Sequence, residues 1–326
     1  MDFKSFLITI ATLFIMLIIG YIAGKRGIID SVASKKLSSL IINIGQPALI
    51  IYSITSQPYT KENLLLGLKT LLLGFGVHLF MGAIAYVVCI KIKHMDERKI
   101  LEFSMVFGNT GFIGIPILGA LFPETGAFQA SFIMISFNIL LWTLGMSILG
   151  RHREDIKVTP KKALINKGTI PSLIGIAIFL LPAIPALQGF SLKGTLPFVS
   201  DTLMYVSGLC TPVSMLIIGA LLSTVSLRKV FVSGKLYYLC LFKLVLIPLT
   251  VCGVMKLASL FLPFSSDWIL FATALTCMPS ATAVSMLAEL YDISPRFSAQ
   301  GVGMTSLLSI ATMPCVVALA QLVSGL

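Results

Sequence analysis

Residues 99–121 read KILEFSMVFGNTGFIGIPILGAL. The run is apolar enough to lie in a bilayer and long enough to cross it, since about 20 such residues suffice. Its centre resists a continuous helix. Gly108-Asn109-Thr110-Gly111-Phe112-Ile113-Gly114-Ile115-Pro116 packs three glycines, an asparagine and a proline into nine residues. Pro116 has no N–H to donate, and its ring clashes with the carbonyl of Phe112, four residues back. The glycines add backbone freedom. The spacing predicts a helix that unwinds around Asn109–Gly114. Irregular backbone at membrane depth is tolerated only against protein or a wet cavity, which makes this stretch a candidate ligand site.

The rest of the chain has the same character. Of its 326 residues, 57% are hydrophobic and only 11% charged, against roughly 25% charged in a soluble domain. Charged or Gly/Pro-rich breaks divide it into ten apolar segments, near 5–23, 36–54, 64–90, 99–121, 126–149, 169–187, 196–225, 234–262, 267–290 and 298–323. Their lengths suit helices rather than barrel strands, and without water each segment must satisfy its own backbone hydrogen bonds. The first is read as a retained helix, too long for the apolar core of a signal peptide.

Loop charge supports this division. With ten spans, alternate loops share a side of the membrane. One set carries 18 lysines and arginines and the other, with both termini, carries 4. The positive-inside rule makes the rich side cytoplasmic and puts both termini outside. The net charge of +11 therefore reflects topology. Spread over short loops without interleaved aromatics, it argues against nucleic-acid binding.

The longest polar stretch, RHREDIKVTPKKALINK at 151–167, falls between the fifth and sixth segments. It divides the chain into a five-helix half at 1–150, a cytoplasmic linker at 151–168 and a second half at 169–326. Five is odd, so the halves run oppositely through the membrane. Pro47 and Pro212 stand 165 residues apart, and Pro116 and Pro279 stand 163 apart. Each pair falls in matching helices of the two halves, as an inverted repeat predicts.

The ninth segment supplies the second break, Thr276-Cys277-Met278-Pro279-Ser280-Ala281-Thr282-Ala283. Two broken helices at matching places would cross near mid-membrane, with half-helix N-termini aimed at the crossing. Such a site favours an anion, typically a carboxylate. Asn109, Thr110, Gly111, Gly114 and Pro116 are the candidate binding residues on one side, and Met278, Pro279 and Ser280 on the other. Prolines that merely kink packed helices are the plainer reading. Lys243 lies inside the eighth segment, where a lysine is costly unless paired or hydrated. It reads either as a charge partner for an anion or as a snorkelling side chain. Asn43 reads either as cavity lining or as interhelical glue, whereas Asn138 reads as glue. Glu102 and Glu289 read as interfacial, and His78 as a packed histidine. The six cysteines form no metal-binding pattern, and no nucleophile–base constellation or phosphate loop points to an enzyme. No cofactor or metal is expected, and the residues leave proton or sodium coupling open.

The chain resembles the auxin efflux carrier family, which contains bacterial permeases and the plant PIN carriers. GNTGFIGIPILGALF at 108–122 carries most of the likeness, joined by KLVLIPL at 243–249, MPSATAVSMLAELYDISP at 278–295 and TSLLSIATMP at 305–314. The resemblance implies two inverted five-helix repeats similar to bile-acid symporters and sodium/proton exchangers. It implies a scaffold of spans 1, 2, 6 and 7 with the other six moving as an elevator, a homodimer through the scaffold, and Asn109 on the substrate carboxylate. It further implies a cytoplasmic-membrane carrier of small organic anions, either dicarboxylates such as malate or malonate or an auxin-like acid. The short central loop and Ser280 depart from the plant pattern. A membrane sensor or accessory protein of the same fold, binding ligand without moving it, is the competing expectation.

Overall fold

The computed structural model describes residues 3–156, 158, 165–166, 168–224, 233–262 and 264–325, which are helical and connected by turns and short irregular segments. In chain order the helices are α1 Phe3–Lys25, α2 Ser31–Leu40, α3 Gln46–Thr55, α4 Lys61–Cys89, α5 Met95–Val106, α6 Ile115–Leu121, α7 Gly126–Leu140, α8 Met146–Leu149 and α9 Thr169–Leu180. They continue as α10 Leu192–Thr195, α11 Pro197–Gly208, α12 Cys210–Thr224, α13 Gly234–Leu241, α14 Ile247–Ala258, α15 Ser266–Thr276, α16 Thr282–Leu290 and α17 Pro295–Ser324.

Among the described residues, seven helical stretches are long and apolar enough to cross a membrane: Lys4–Lys25, Ser31–Thr55, Lys61–Cys89, Gly126–Leu149, Pro197–Thr224, Gly234–Ala258 and Pro295–Ser324. They match seven of the ten predicted segments. The fourth and ninth segments are each split in two, α5 with Thr110–Leu121 and α15 with α16. The sixth is a short apolar helix, Thr169–Ala183. Much of the linker predicted at 151–168, and the loop positives Arg228 and Lys229, lie outside the described residues.

Prolines shape the helices in a repeated way. Wide, π-helical turns occupy Ile41–Gly45, Thr110–Gly114 and Phe242–Leu246. In these three the second residue after the turn is a proline, Pro47, Pro116 and Pro248, whereas a fourth such turn, Leu141–Gly145, is followed by Met146 and Ser147. A proline ring needs room at the carbonyl four residues back, and a wider turn supplies it without ending the helix. The fourth segment therefore departs from the predicted unwinding over Asn109–Gly114. The break is at Phe107–Asn109, and the chain is helical again from Thr110. Pro279 lies outside any helix, between α15 and α16.

The described chain divides into two compact units. The first comprises Met1–Gly74, Gly111–Trp142 and Thr159–Thr224. Within it, α1 and α12 pack backbone to backbone through small residues, as membrane helices do. A Cβ added at Gly219 would lie 2.0 Å from the Leu17 carbonyl oxygen, and one at Gly20 would lie 2.3 Å from that of Leu216. A second cluster buries Ile50, Ile54, Phe128, Phe132, Ile135 and Phe179, with the Phe128 and Phe132 rings 5.0 Å apart. Ile8, Ile15, Ile18 and Ile19 on α1 are each more than half exposed, which suits a lipid-facing surface.

The second unit comprises Phe75–Thr110, Thr143–Val158 and Val225–Leu326. Leu236, Cys240, Leu244 and Met304 form an apolar cluster within it. A buried ion group lies along α5. Glu102, 1% exposed, accepts from Arg98 Nε at 2.7 Å and from both terminal nitrogens of Arg151 at 3.0 and 2.8 Å. Both guanidinium groups also lie 5.3 Å from the Tyr86 ring. Hydrogen bonding to Glu102 raises the pKa of Arg151 further above its ordinary value. Glu102 thus anchors both guanidinium groups in a buried setting.

Candidate functional site

The two breaks meet inside the second unit. Gly108 and Ser280 pair as an isolated antiparallel bridge. The Asn109 amide donates to the Pro279 carbonyl at 2.7 Å, and the Ala281 amide donates to the Phe107 carbonyl at 2.9 Å. The helix breaks leave these groups without intrahelical partners, and each broken chain supplies them to the other. Polar backbone that would otherwise be orphaned at membrane depth is satisfied in this way.

Side chains complete the accounting at the carbonyl end of α5, where a helix leaves its last carbonyls without intrahelical donors. Phe103 O accepts the Phe107 amide at 3.0 Å. Ser104 O accepts Ser280 Oγ at 3.0 Å. Met105 O accepts Lys243 Nζ, also at 3.0 Å. On the facing strand, the Ser280 amide donates to Thr305 Oγ1 at 3.2 Å, and Thr305 donates in turn to Gly301 O within α17. Ser280, Thr305 and Lys243 are each 0% exposed.

Four helix ends converge on this bridge by chain connection alone. α5 and α15 end at it with their carbonyl ends, which are partially negative. The helix beginning at Thr110 and α16 start from it with their amide ends, which are partially positive. The Lys243 ammonium sits at one of the two negative ends. The chemistry on offer is therefore a buried turn from which two partially positive helix starts begin, a setting that favours an anion.

The predicted site residues distribute as follows. Asn109, Thr110, Met278, Pro279, Ser280 and Lys243 come together within the second unit, all of them buried. Gly111, Gly114 and Pro116 follow directly in sequence on the helix from Thr110 but belong to the first unit. Gly111 there faces Gln46, whose Nε2 would lie 3.2 Å from an added Cβ. Asn43, also in the first unit, is exposed and donates back to Ser39 O at 2.6 Å within its own helix. Lys243 is fully buried and does not snorkel. Asn138 bonds to Met134 O in its own helix at 2.7 Å, and its amide fills the space against Gly168.

Ser104 and Thr305 are additions that sequence reasoning did not reach. Ser104 lies four residues before Gly108 and contributes a backbone carbonyl, a role no side-chain pattern signals. Thr305 lies 25 residues from its partner, although it opens the TSLLSIATMP stretch already noted as distinctive.

Comparison with known proteins gives the class of this helical membrane protein. The sequence profile of the family described as membrane transport protein matches residues 5–317. The chain belongs to this family, the auxin efflux carrier family of membrane transporters. It is 26% identical over 301 residues to an uncharacterized transporter of Methanocaldococcus jannaschii, covering 91% of this chain and 92% of that one. It is 23% identical to an uncharacterized transporter of Methanothermobacter thermautotrophicus, covering 94% and 95%. A protein of Rhizobium meliloti named "Putative malonate transporter" is 21% identical, covering 91% and 90%.

Proposed function

We propose that the protein carries a small organic anion across the cytoplasmic membrane, with the paired breaks as its substrate site. The favoured substrates are dicarboxylates such as malonate or malate, and an auxin-like carboxylate is the wider class. The observation that carries this reading is the Gly108–Ser280 bridge, where two interrupted helices exchange backbone hydrogen bonds and two helix amide ends begin. Continuous helices would pack more cheaply, so a fold that interrupts two of them at one place is using the interruption. The named relative from Rhizobium meliloti favours malonate within the class.

In this reading the ten segments form two inverted repeats, 1–150 and 169–326, joined at 151–168. Both termini face outward. Spans 1, 2, 6 and 7 act as a scaffold, the remaining six move as an elevator, and two copies dimerise through the scaffold. Asn109 and Thr110, with backbone from Gly111 to Pro116, hold the carboxylate, and Met278, Pro279 and Ser280 close the other side.

A thermal-shift screen of mono- and dicarboxylates on purified full-length protein, across pH, tests the substrate class. Saturable stabilisation by malonate or a close homologue is expected. Stabilisation by none of the acids sinks the anion reading. Binding without flux in proteoliposomes would favour a sensor of the same fold instead.

A further inference from the structure

The residues that follow α8, 150–156, form a compact turn inside the second unit. The Arg153 amide donates to Gly150 O at 2.9 Å. Ile156 is buried, and its carbonyl oxygen would lie 2.8 Å from a Cβ added at Gly150. Two arginines leave this turn for different partners. Arg151 gives both terminal nitrogens to Glu102 on α5. Arg153 donates to Tyr291 O at 3.3 Å, in the turn that closes α16, and two bonds to Asp155 at 2.8 Å hold its guanidinium in place. The hydrogen bonding to Asp155, with the charges of Asp155, of Asp96 at the start of α5 and of Asp292 beside Tyr291, raises the pKa of Arg153 above its ordinary value. Both turns are conformationally unusual. His152 has φ +60°, and Asp292 and Ser294 have φ +49° and +42°. Left-handed backbone outside glycine persists where surrounding contacts fix it.

α5 and α16 are the half-helices that the Gly108–Ser280 bridge joins. Glu102 stands less than two turns of helix before Phe107, and α16 runs from just past Ser280 to the turn that Arg153 grips. A short helix moves as a rod, so a tie between the two rods limits how far their bridged ends can separate. We propose that residues 150–156 are a clasp that sets the geometry of the crossing, Arg151 acting through α5 and Arg153 through α16. Both are positioning residues and neither touches substrate. Their bearing on transport rests on the reading of the crossing as the substrate site; the mechanical link does not.

Hydrogen exchange of the full-length protein in detergent, read by mass spectrometry, tests the link without any substrate. Arg153→Ala spares the Glu102 group and should melt within about 2 °C of wild type. Peptides holding the bridge donors, the Asn109 and Ala281 amides, should nevertheless exchange about threefold faster or more, as loss of one partly exposed charged hydrogen bond implies. Peptides from α1 and α12 should be unchanged, and Arg153→Lys should restore most of the protection. Acceleration confined to the Tyr291 turn overturns the proposal, as does equal acceleration throughout the chain. Should Arg153→Ala not fold, Asp155→Ala decides, because Asp155 is exposed and its loss only releases Arg153. It must accelerate the same two bridge peptides, and their unchanged exchange overturns the clasp. In malonate counterflow Arg153→Ala should raise KM by about threefold or more with kcat within about twofold, and an unchanged KM overturns the positioning role. Failure of every acid to bind wild type would sink the carrier reading and leave the exchange result to decide the clasp.

Discussion

Gly108→Ala is the sharpest probe of the crossing, because it adds one methyl and changes nothing else. The new Cβ would lie 3.3 Å from Lys243 Nζ, 3.3 Å from Met278 Cβ and 3.6 Å from Met278 O. Gly108 has no positive φ, so the backbone itself tolerates alanine. The cost is then steric. Lys243 is the far end of a flexible chain and yields readily. Met278 Cβ is fixed to backbone held by the Asn109–Pro279 and Ala281–Phe107 bonds, so it must move with the bridge by a few tenths of an ångström. Overpacking of this kind costs about 1–3 kcal/mol. Gly76→Ala is the control. It lies in α4, where an added Cβ meets nothing within 4 Å, and alanine there should stabilise the helix by about 0.5–1 kcal/mol. The assay is the thermal midpoint of each purified variant, followed by fluorescence of Trp142 and Trp268. For a chain of this size 1 kcal/mol is worth roughly 1.5–2 °C. Gly108→Ala should melt several degrees below wild type and Gly76→Ala at or above it. Equal midpoints for the two variants would refute the claim that the breaks are packed against each other through Gly108.

Other consequences follow from the same contacts. Gly219→Ala would bring a methyl to 2.0 Å from the Leu17 carbonyl, a backbone atom that cannot swing aside, so α1 and α12 must separate. A loss of at least 3 kcal/mol, read as a lower midpoint, is expected. Glu102→Gln leaves Arg98 and Arg151 without their carboxylate in a buried setting and should cost about 3–5 kcal/mol. Restoring stability with Arg151→Met in the same chain would confirm that the loss is uncompensated charge. Ser280→Ala removes the donor to Ser104 O and should cost about 1 kcal/mol, measured the same way. A midpoint unchanged from wild type would show that this hydrogen bond contributes nothing.

Much of the arrangement was legible in the sequence, because membrane helices announce themselves by length and their interruptions by proline and glycine. The GNTGFIGIP and MPSATA stretches marked the two breaks, and their matched positions suggested that they meet. What escaped was where the break falls. Pro116 suggested unwinding just before it, but a π-helical turn over Thr110–Gly114 accommodates the ring, and the chain opens at Phe107–Asn109, where the facing strand can take up its hydrogen bonds. Lys243 was seen as anomalous, yet its partner is a backbone carbonyl on another helix, which no residue pattern encodes. The Arg98–Glu102–Arg151 group was missed for a related reason. Arg98 and Glu102 are an ordinary i, i+4 pair on paper, and only the fold brings Arg151, 49 residues away, to bury it.

The central claim is that the bridged breaks are the place where substrate is held, and counterflow of radiolabelled malonate into malonate-loaded proteoliposomes tests it most directly. Wild type should accumulate label saturably, and Asn109→Ala, reconstituted in equal amount and melting within a few degrees of wild type, should lose at least tenfold of that rate, as expected when about 1.4 kcal/mol or more of binding is removed. Undiminished counterflow by Asn109→Ala would contradict the account.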